Sequence, residues 1–191
     1  MEALIVGGSR GIGAATKSHL EGAGWAVTDL SRTTGCDVTK RDDLAAALNW
    51  QPQVDALIYS AGHVAPKPIL EDDLDDWDYH LEVNLTAPVR CAQWFAARGR
   101  PGAVVLIAST AALRAAPNWA PYAAAKAGLV SFGLTAAVEW APLGIRVYVV
   151  APGRCATHLR AVLAPDEDPS QIMQPPEVAR VIHRLIDDHD G

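Results

Sequence analysis

The chain has 191 residues, half of them hydrophobic, and a formal net charge of −6. That is enough for one domain with a substantial core, and too apolar for an intrinsically disordered protein. The negative balance argues against a general binder of nucleic acid or anionic membrane, and no apolar run is long enough to span a bilayer.

ALIV (Ala3–Val6) reads as a buried strand, short and apolar and stopped by Gly7 and Gly8. A helix is expected from about Ile12 to Glu21, ended by Gly22 and Gly24. WAVTDL (Trp25–Leu30) is a second strand, RDDLAAALNW (Arg41–Trp50) a helix, and VDALIY (Val54–Tyr59) a third strand stopped at Ala61-Gly62. A long helix is expected over about Leu74–Arg98. The acidic run EDDLDDWD (Glu71–Asp78) sits at its start, where solvated carboxylates suit the helix macrodipole. The spacing of that run matches no EF-hand loop, and no metal site is assigned. AVVLIA (Ala103–Ala108) is a fourth strand, followed by a helix from Pro121 to about Trp140 with proline in its first turn. IRVYVV (Ile145–Val150) is a fifth strand, stopped at Pro152-Gly153, and a last helix runs from Glu177 to about Asp187.

Strands and helices alternate, and the strands are near-continuous apolar runs, as expected when both faces of a sheet are covered. The expected architecture is a single α/β domain over residues 1–191, Rossmann-like, with a doubly wound parallel sheet. Ligands bind such sheets beyond the C-terminal ends of the strands, which directs attention to the loops after Val6, Leu30, Tyr59, Ala108 and Val150. Cys36, Cys91 and Cys155 are odd in number and widely spaced, so reduced thiols in a cytoplasmic protein are expected rather than a disulfide framework or a zinc site. A strand beginning by Ala3 leaves no room for a signal peptide.

Two patterns carry chemistry. VGGSRGIG (Val6–Gly13) places Gly7, Gly11 and Gly13 between the first strand and the first helix, with Ser9, Arg10 and Ile12 among them. A dinucleotide site demands a tight turn there, close approach of backbone to phosphate, and close helix–strand packing. A glycine-rich turn without a ligand would read the same way. PYAAAKAGL (Pro121–Leu129) puts Tyr122 and Lys126 one helical turn apart on one face, with Ser109 at the end of the fourth strand. A nearby ammonium favours phenolate and would lower the Tyr122 pKa toward neutrality. A serine hydroxyl beside it can hold a carbonyl or alcohol oxygen, making a general acid/base centre. A tyrosine packed in an alanine-rich helix with a surface lysine fits the same pattern.

Together these motifs resemble the short-chain dehydrogenase/reductase family. VGGSRGIG is similar to its cofactor loop, and YSAG (Tyr59–Gly62) stands where the family has Asn-Asn-Ala-Gly. VNLTAP carries Asn84 at the family's helix asparagine. LIAST supplies Ser109, YAAAK the Tyr-x-x-x-Lys motif, and APGRCAT the Pro-Gly-x-x-x-Thr motif, with Pro152, Gly153 and Thr157 near the nicotinamide. The resemblance implies that Tyr122 passes a proton to the substrate oxygen while Lys126 holds the nicotinamide ribose and depresses the Tyr122 pKa. It further implies that Ser109 orients the substrate oxygen, and that Asn84 kinks its helix and helps hold a relay water beside Lys126. Ser60, Ala61 and Gly62 join the cofactor residues.

The departures are informative. Tyr59-Ser60 replaces Asn-Asn, which should alter packing on the adenine side. Ala151 and Tyr148 stand where relatives often have Asn. At the position after the second strand where NAD-preferring relatives carry an acid, this chain has Ser31, then Arg32. The Arg fork suits a 2′-phosphate, with Arg10 adding charge and Thr33 a hydroxyl, so NADP(H) is preferred and NAD(H) remains possible. Relatives follow the second strand with a helix and another parallel strand, but only Thr33, Thr34 and Gly35 separate Arg32 from Cys36. A parallel crossover needs a dozen or more residues, so Cys36–Val38 cannot be that strand. About five parallel strands in the order 2-1-3-4-5 follow, with Asp37 and Val38 still reaching the adenine side. His63, Arg114, Trp119, His158 and Leu159 are expected to line the substrate end, each also explicable as ordinary loop packing.

The activity implied is an NADP(H)-dependent carbonyl reductase or alcohol dehydrogenase acting on a small molecule. The alternatives are an NADP(H)-binding regulatory or scaffold protein, or enoyl or imine reduction at the same centre. Relatives pair through their two long helices. Leu81, Leu85, Val89 and Trp94 on the first, and Leu129, Phe132, Leu134 and Val138 on the second, make a homodimer the expected assembly. Only DDHDG remains after the last helix, where relatives continue into a strand that often serves tetramers, which puts a tetramer in doubt.

Overall fold

The structure, a computed structural model, describes residues 1–51 and 54–187. The closing residues 188–191 lie outside them. β1 (Glu2–Val6), β2 (Ala26–Leu30), β3 (Ala56–Tyr59), β4 (Gly102–Ile107) and β5 (Ile145–Val150) form one parallel sheet in the order β2-β1-β3-β4-β5. Side chains alternate between its faces along each strand. Leu4, Val6, Leu57, Tyr59, Val104 and Leu106 point to one layer, where α2 (Arg41–Asn49), α4 (Ala87–Ala97) and α5 (Ala120–Trp140) bring Leu44, Leu48, Phe95 and Leu129. Ala3, Ile5, Ile58, Val105 and Ile107 point to the other, covered by Leu20 of α1 (Gly11–Gly22) and Val178, Ile182 and Ile186 of α7 (Pro175–Asp187). The inner strands β1, β3 and β4 are therefore covered on both faces, which is why their sequences lack a polar alternation.

The chain leaves β2 through a compact turn and not through a crossover. The Ser31 amide donates to Thr34 Oγ1 (2.9 Å) and the Cys36 amide to the Ser31 carbonyl (2.9 Å), with Gly35 at φ 86°. Cys36 and Val38 then drop into the core beside Leu30, and β2 ladders only with β1. The sheet edge and the absence of a strand at Cys36–Val38 agree with the steric argument from the sequence.

Two elements depart from the expected pattern. The helix expected over Leu74–Arg98 is three pieces: α3 (Leu74–Leu81), a π-helical turn (Glu82–Thr86) and α4. Asp73 caps α3, accepting from the Asp76 amide at 2.8 Å, so part of the acidic run does serve the helix start. A short helix absent from the sequence reading, α6 (His158–Leu163), follows β5, with Thr157 as its cap. Six residues carry too little periodicity to be read in advance. Among the described residues, no helix is long and apolar enough to cross a membrane. The three cysteines are free and buried, and burial pushes all three thiols up, Cys91 to about 12.

Candidate active site

A cleft of about 620 Å³ opens at the C-terminal ends of the strands, where a doubly wound sheet places its ligand. Its floor is the glycine loop. The Gly7 amide donates to the Leu30 carbonyl (2.8 Å), and the Ser60 and Ala61 amides donate to Val6 (2.8 and 2.9 Å), so β1, β2 and β3 converge on one turn. Gly7 has φ 89°, and a Cβ there would stand 2.5 Å from the Ala61 nitrogen. A Cβ on Gly13 would meet the Gly7 carbonyl oxygen at 2.1 Å. Glycine is thus required for close backbone approach, and it leaves room above the loop for a ligand. Arg10 is the α1 N-cap residue and makes no side-chain cap, and no acid occupies the first turn. The backbone N–H groups of that turn are the donors a phosphate uses. These features fit a bound dinucleotide.

Ser9, Arg10, Gly11 and Ile12 line the cleft from the loop, with Ser31, Arg32, Thr33, Asp37 and Val38 from the turn after β2. Ser60, Ala61 and Gly62 line it after β3, and Pro152, Gly153 and Thr157 after β5. Asp29 is engaged beneath them. Its carboxylate accepts from the Gly8 amide (2.7 Å) and from Ser31 Oγ (3.0 Å), and Ser31 Oγ lies 2.8 Å from Thr33 Oγ1. Asp37 is held by the Thr39 amide and hydroxyl (3.0 and 2.8 Å), and these bonds lower its pKa, helped by Arg32 and Lys40.

Ser109, Tyr122 and Lys126 share the same cleft. Ser109 follows β4 and accepts from the Ala111 amide at 3.2 Å, fixing its hydroxyl at the mouth of a 3₁₀ turn (Thr110–Leu113). Tyr122 and Lys126 are 5% and 3% exposed on α5. Lys126 Nζ donates to the Ile107 carbonyl at 2.8 Å, which holds it against the end of β4, and lies 5.8 Å from the Tyr122 ring centre. Burial pushes the lysine down to about 7. Burial also raises the Tyr122 pKa, while Ser109 pulls it the other way. The depression of Tyr122 expected from the sequence is not seen: desolvation outweighs the Ser109 hydrogen bond, and the net shift is upward.

Two expected site residues do not reach the cleft. Gly13 is buried beneath the loop. Asn84 is fully buried within the π turn, and its side chain is committed elsewhere. Its Nδ2 donates to the His63 and His80 carbonyls (2.9 and 3.0 Å) and its Oδ1 accepts from the His63 amide (3.2 Å). Asn84 thus clamps the loop after β3 and makes no side-chain bond to Lys126. Tyr59 points into the core and donates to the Val83 carbonyl at 2.8 Å, tying β3 to the π turn. A tyrosine inside an apolar strand needs a partner for its hydroxyl, the signal that could have found this bond.

His63, Arg114, Trp119, His158 and Leu159 all line the cleft. The sequence reading missed Arg154 and Arg160, which also line it and are joined through Glu167 (3.0 Å to Arg154; 2.6 and 2.8 Å to Arg160). His63, Asp76 and His80 bring potential ligand atoms within 4.8 Å of one another. His80 accepts from the Ala65 amide at Nε2 (3.1 Å), which leaves Nδ1 to donate to the Asp76 carbonyl (2.8 Å). With both its nitrogens engaged, His80 has no lone pair for a metal.

Comparison with known proteins agrees with this geometry. The family profile for short chain dehydrogenases matches residues 29–168. The chain is 32% identical over 222 residues to cis-4-hydroxycyclohexanecarboxylate dehydrogenase of Sinomonas cyclohexanicum, covering 97% of this chain and 89% of that protein. That aligned length exceeds the 191 residues of this chain, so the relative carries internal segments missing here. Among solved structures, one described as an NAD(P)-dependent gluconate 5-dehydrogenase from Beutenbergia cavernae, with NADP bound at low occupancy, superposes with a TM-score of 0.89 at 26% identity, covering 97% and 88% of the two chains. The 3-ketoacyl-(acyl-carrier-protein) reductase of Brucella melitensis, complexed with NADH, gives 0.87 at 24%, covering 97% and 90%, a likeness of fold. The chain belongs to the short-chain dehydrogenase/reductase family of oxidoreductases and is a short member of it. These two solved structures hold nicotinamide cofactors, with the 2′-phosphate in the first and without it in the second.

Proposed function

We propose that the protein is a cytoplasmic NADP(H)-dependent oxidoreductase, a single domain over residues 1–191, interconverting a small carbonyl compound and its alcohol. The observation that carries this reading is the meeting of Ser109, Tyr122 and Lys126 in the same cleft as the glycine loop. When bound, the nicotinamide supplies or accepts the hydride. Tyr122, kept protonated by burial, donates its proton to the carbonyl oxygen and takes another from solvent. Ser109 hydrogen-bonds the same oxygen and orients it. Lys126, held on the Ile107 carbonyl, is placed to bond the ribose, and Asn84 acts by positioning the His63 loop.

NADP(H) is preferred because Asp29, the one acid in β2, is already bonded to Gly8 and Ser31, while Arg32 makes no ion pair with any described residue. A homodimer is the proposed assembly, through α4 and α5. Leu134 and Val138 of α5 are 63% and 76% exposed, whereas Leu129 belongs to the core.

The test is titration with NADPH and NADH, followed by a carbonyl panel assayed through nicotinamide absorbance. Tighter NADPH binding and NADPH-linked turnover of at least one carbonyl are expected. Stoichiometric NADPH binding with no turnover across the panel would favour the regulatory alternative.

A further inference from the structure

The cationic side chains of the cleft do not all have the same employment, and the one left over speaks to the substrate, on the reading of this cleft as a reductase site. Arg10 and Arg32 stand on the glycine loop and the turn after β2, at the end suited to the cofactor's phosphates. Arg154 and Arg160 are both engaged by Glu167. Lys126 is bonded to the Ile107 carbonyl. Arg114 ends the 3₁₀ turn that begins at Ser109, which fixes it on the substrate side of the centre. It is exposed and makes no ion pair or hydrogen bond through its side chain with any described residue.

Its surroundings set it apart from an ordinary solvated arginine. Val64 and Tyr122 pack with Trp119, Leu159 and Leu163 into an apolar cluster at this end of the cleft. No carboxylate is available there: Asp37 is the only acid among the described residues lining the cleft, and it is held by Thr39 at the opposite end. In a chain of net charge −6, an uncompensated guanidinium lining the same cleft as this apolar cluster is a local reversal of sign. Such a fork matches a carboxylate in a bidentate geometry and attracts it across the protein's own negative field.

We propose that the substrate is a small hydroxy or oxo carboxylic acid. Its apolar body fills the chamber beside Trp119 and Leu159, its reacting oxygen meets Ser109 and Tyr122, and its carboxylate pairs with Arg114.

The test separates charge from shape with two non-reacting probes, cyclohexanecarboxylate and cyclohexanecarboxamide. Each is titrated calorimetrically into the protein alone and into the protein loaded with NADPH. The acid is expected to bind at least tenfold more tightly than the amide. Arg114→Ala abolishes that preference, Arg114→Lys keeps part of it, and neither changes NADPH affinity. Equal binding of acid and amide by the wild-type protein, or a preference that survives Arg114→Ala, overturns the proposal. Failure of the reductase reading is distinguishable: NADPH would not bind, or no carbonyl would turn over, while acid preference is still read on the protein without cofactor.

Discussion

Tyr122 and Lys126 are each protonated according to burial more than to each other. A tyrosine whose pKa is raised keeps its proton through neutral pH, the state needed to reduce a carbonyl; alcohol oxidation needs the phenolate. Oxidation should therefore gain in kcat/KM as pH rises above neutrality while reduction does not, and parallel profiles in the two directions would count against Tyr122 as the shared group. Tyr122→Phe is expected to keep the fold and NADPH binding and to lose about two to four decades of turnover; a folded variant with near wild-type turnover removes the assignment. Lys126 makes a separate prediction. Its pKa falls from the ordinary 10.5 to about 7 on burial, so the unfolded chain binds the proton more tightly than the folded one. The resulting loss of stability is complete below about 7 and fades as pH rises toward 10.5. In urea unfolding, wild type should gain stability relative to Lys126→Met across that interval, by at most about 1.4 kcal/mol per pH unit. A difference that is flat in pH contradicts this. At the cofactor's other end, Arg32→Glu should weaken NADPH far more than NADH, since a carboxylate would face the 2′-phosphate; an unchanged NADPH preference makes Arg32 a bystander.

At the scale of elements, the glycine loop and the π turn hold the cleft in shape from its two sides. The loop works by absence of side chains, and Gly13 is its tightest point, since a Cβ would overlap the Gly7 carbonyl. Gly13→Ala must push α1 away from β1, so NADPH affinity should fall at least tenfold, by about 1.4 kcal/mol or more. Unchanged affinity in a folded variant would show that the loop does not hold the cofactor. On the other side, the π turn presents Val83 to Tyr59 and Asn84 to His63, so the helix irregularity is bonded to both the third strand and its loop. The glycine loop and Asn84 stood out in the sequence because their motifs are local, although the Asn84 side chain does not reach the cleft. The bonds from Asn84 to His63 were not readable, because they join residues 21 apart.

For the whole molecule, the sheet order followed from chain length: three residues between Arg32 and Cys36 cannot cross over, so β2 had to be an edge. The proposed dimer belongs to this scale as well. Leu134→Asp with Val138→Asp should shift the light-scattering mass from dimer to monomer, and a wild type that is monomeric at micromolar concentration would refute the pairing. By itself, the sequence determined what depends on local sterics and periodicity: five strands with the inner ones buried, most of the helices between them, the phosphate-suited glycine turn, and the one-turn spacing of Tyr122 and Lys126. Only the tertiary structure decided what depends on burial and on partners distant in the chain. Tyr59 turned inward to Val83, Asp29 became occupied by Gly8 and Ser31, and Arg154 and Arg160 were gathered by Glu167. The same holds for protonation, because the cost of a buried charge is set by the whole surrounding fold and no spacing of residues encodes it.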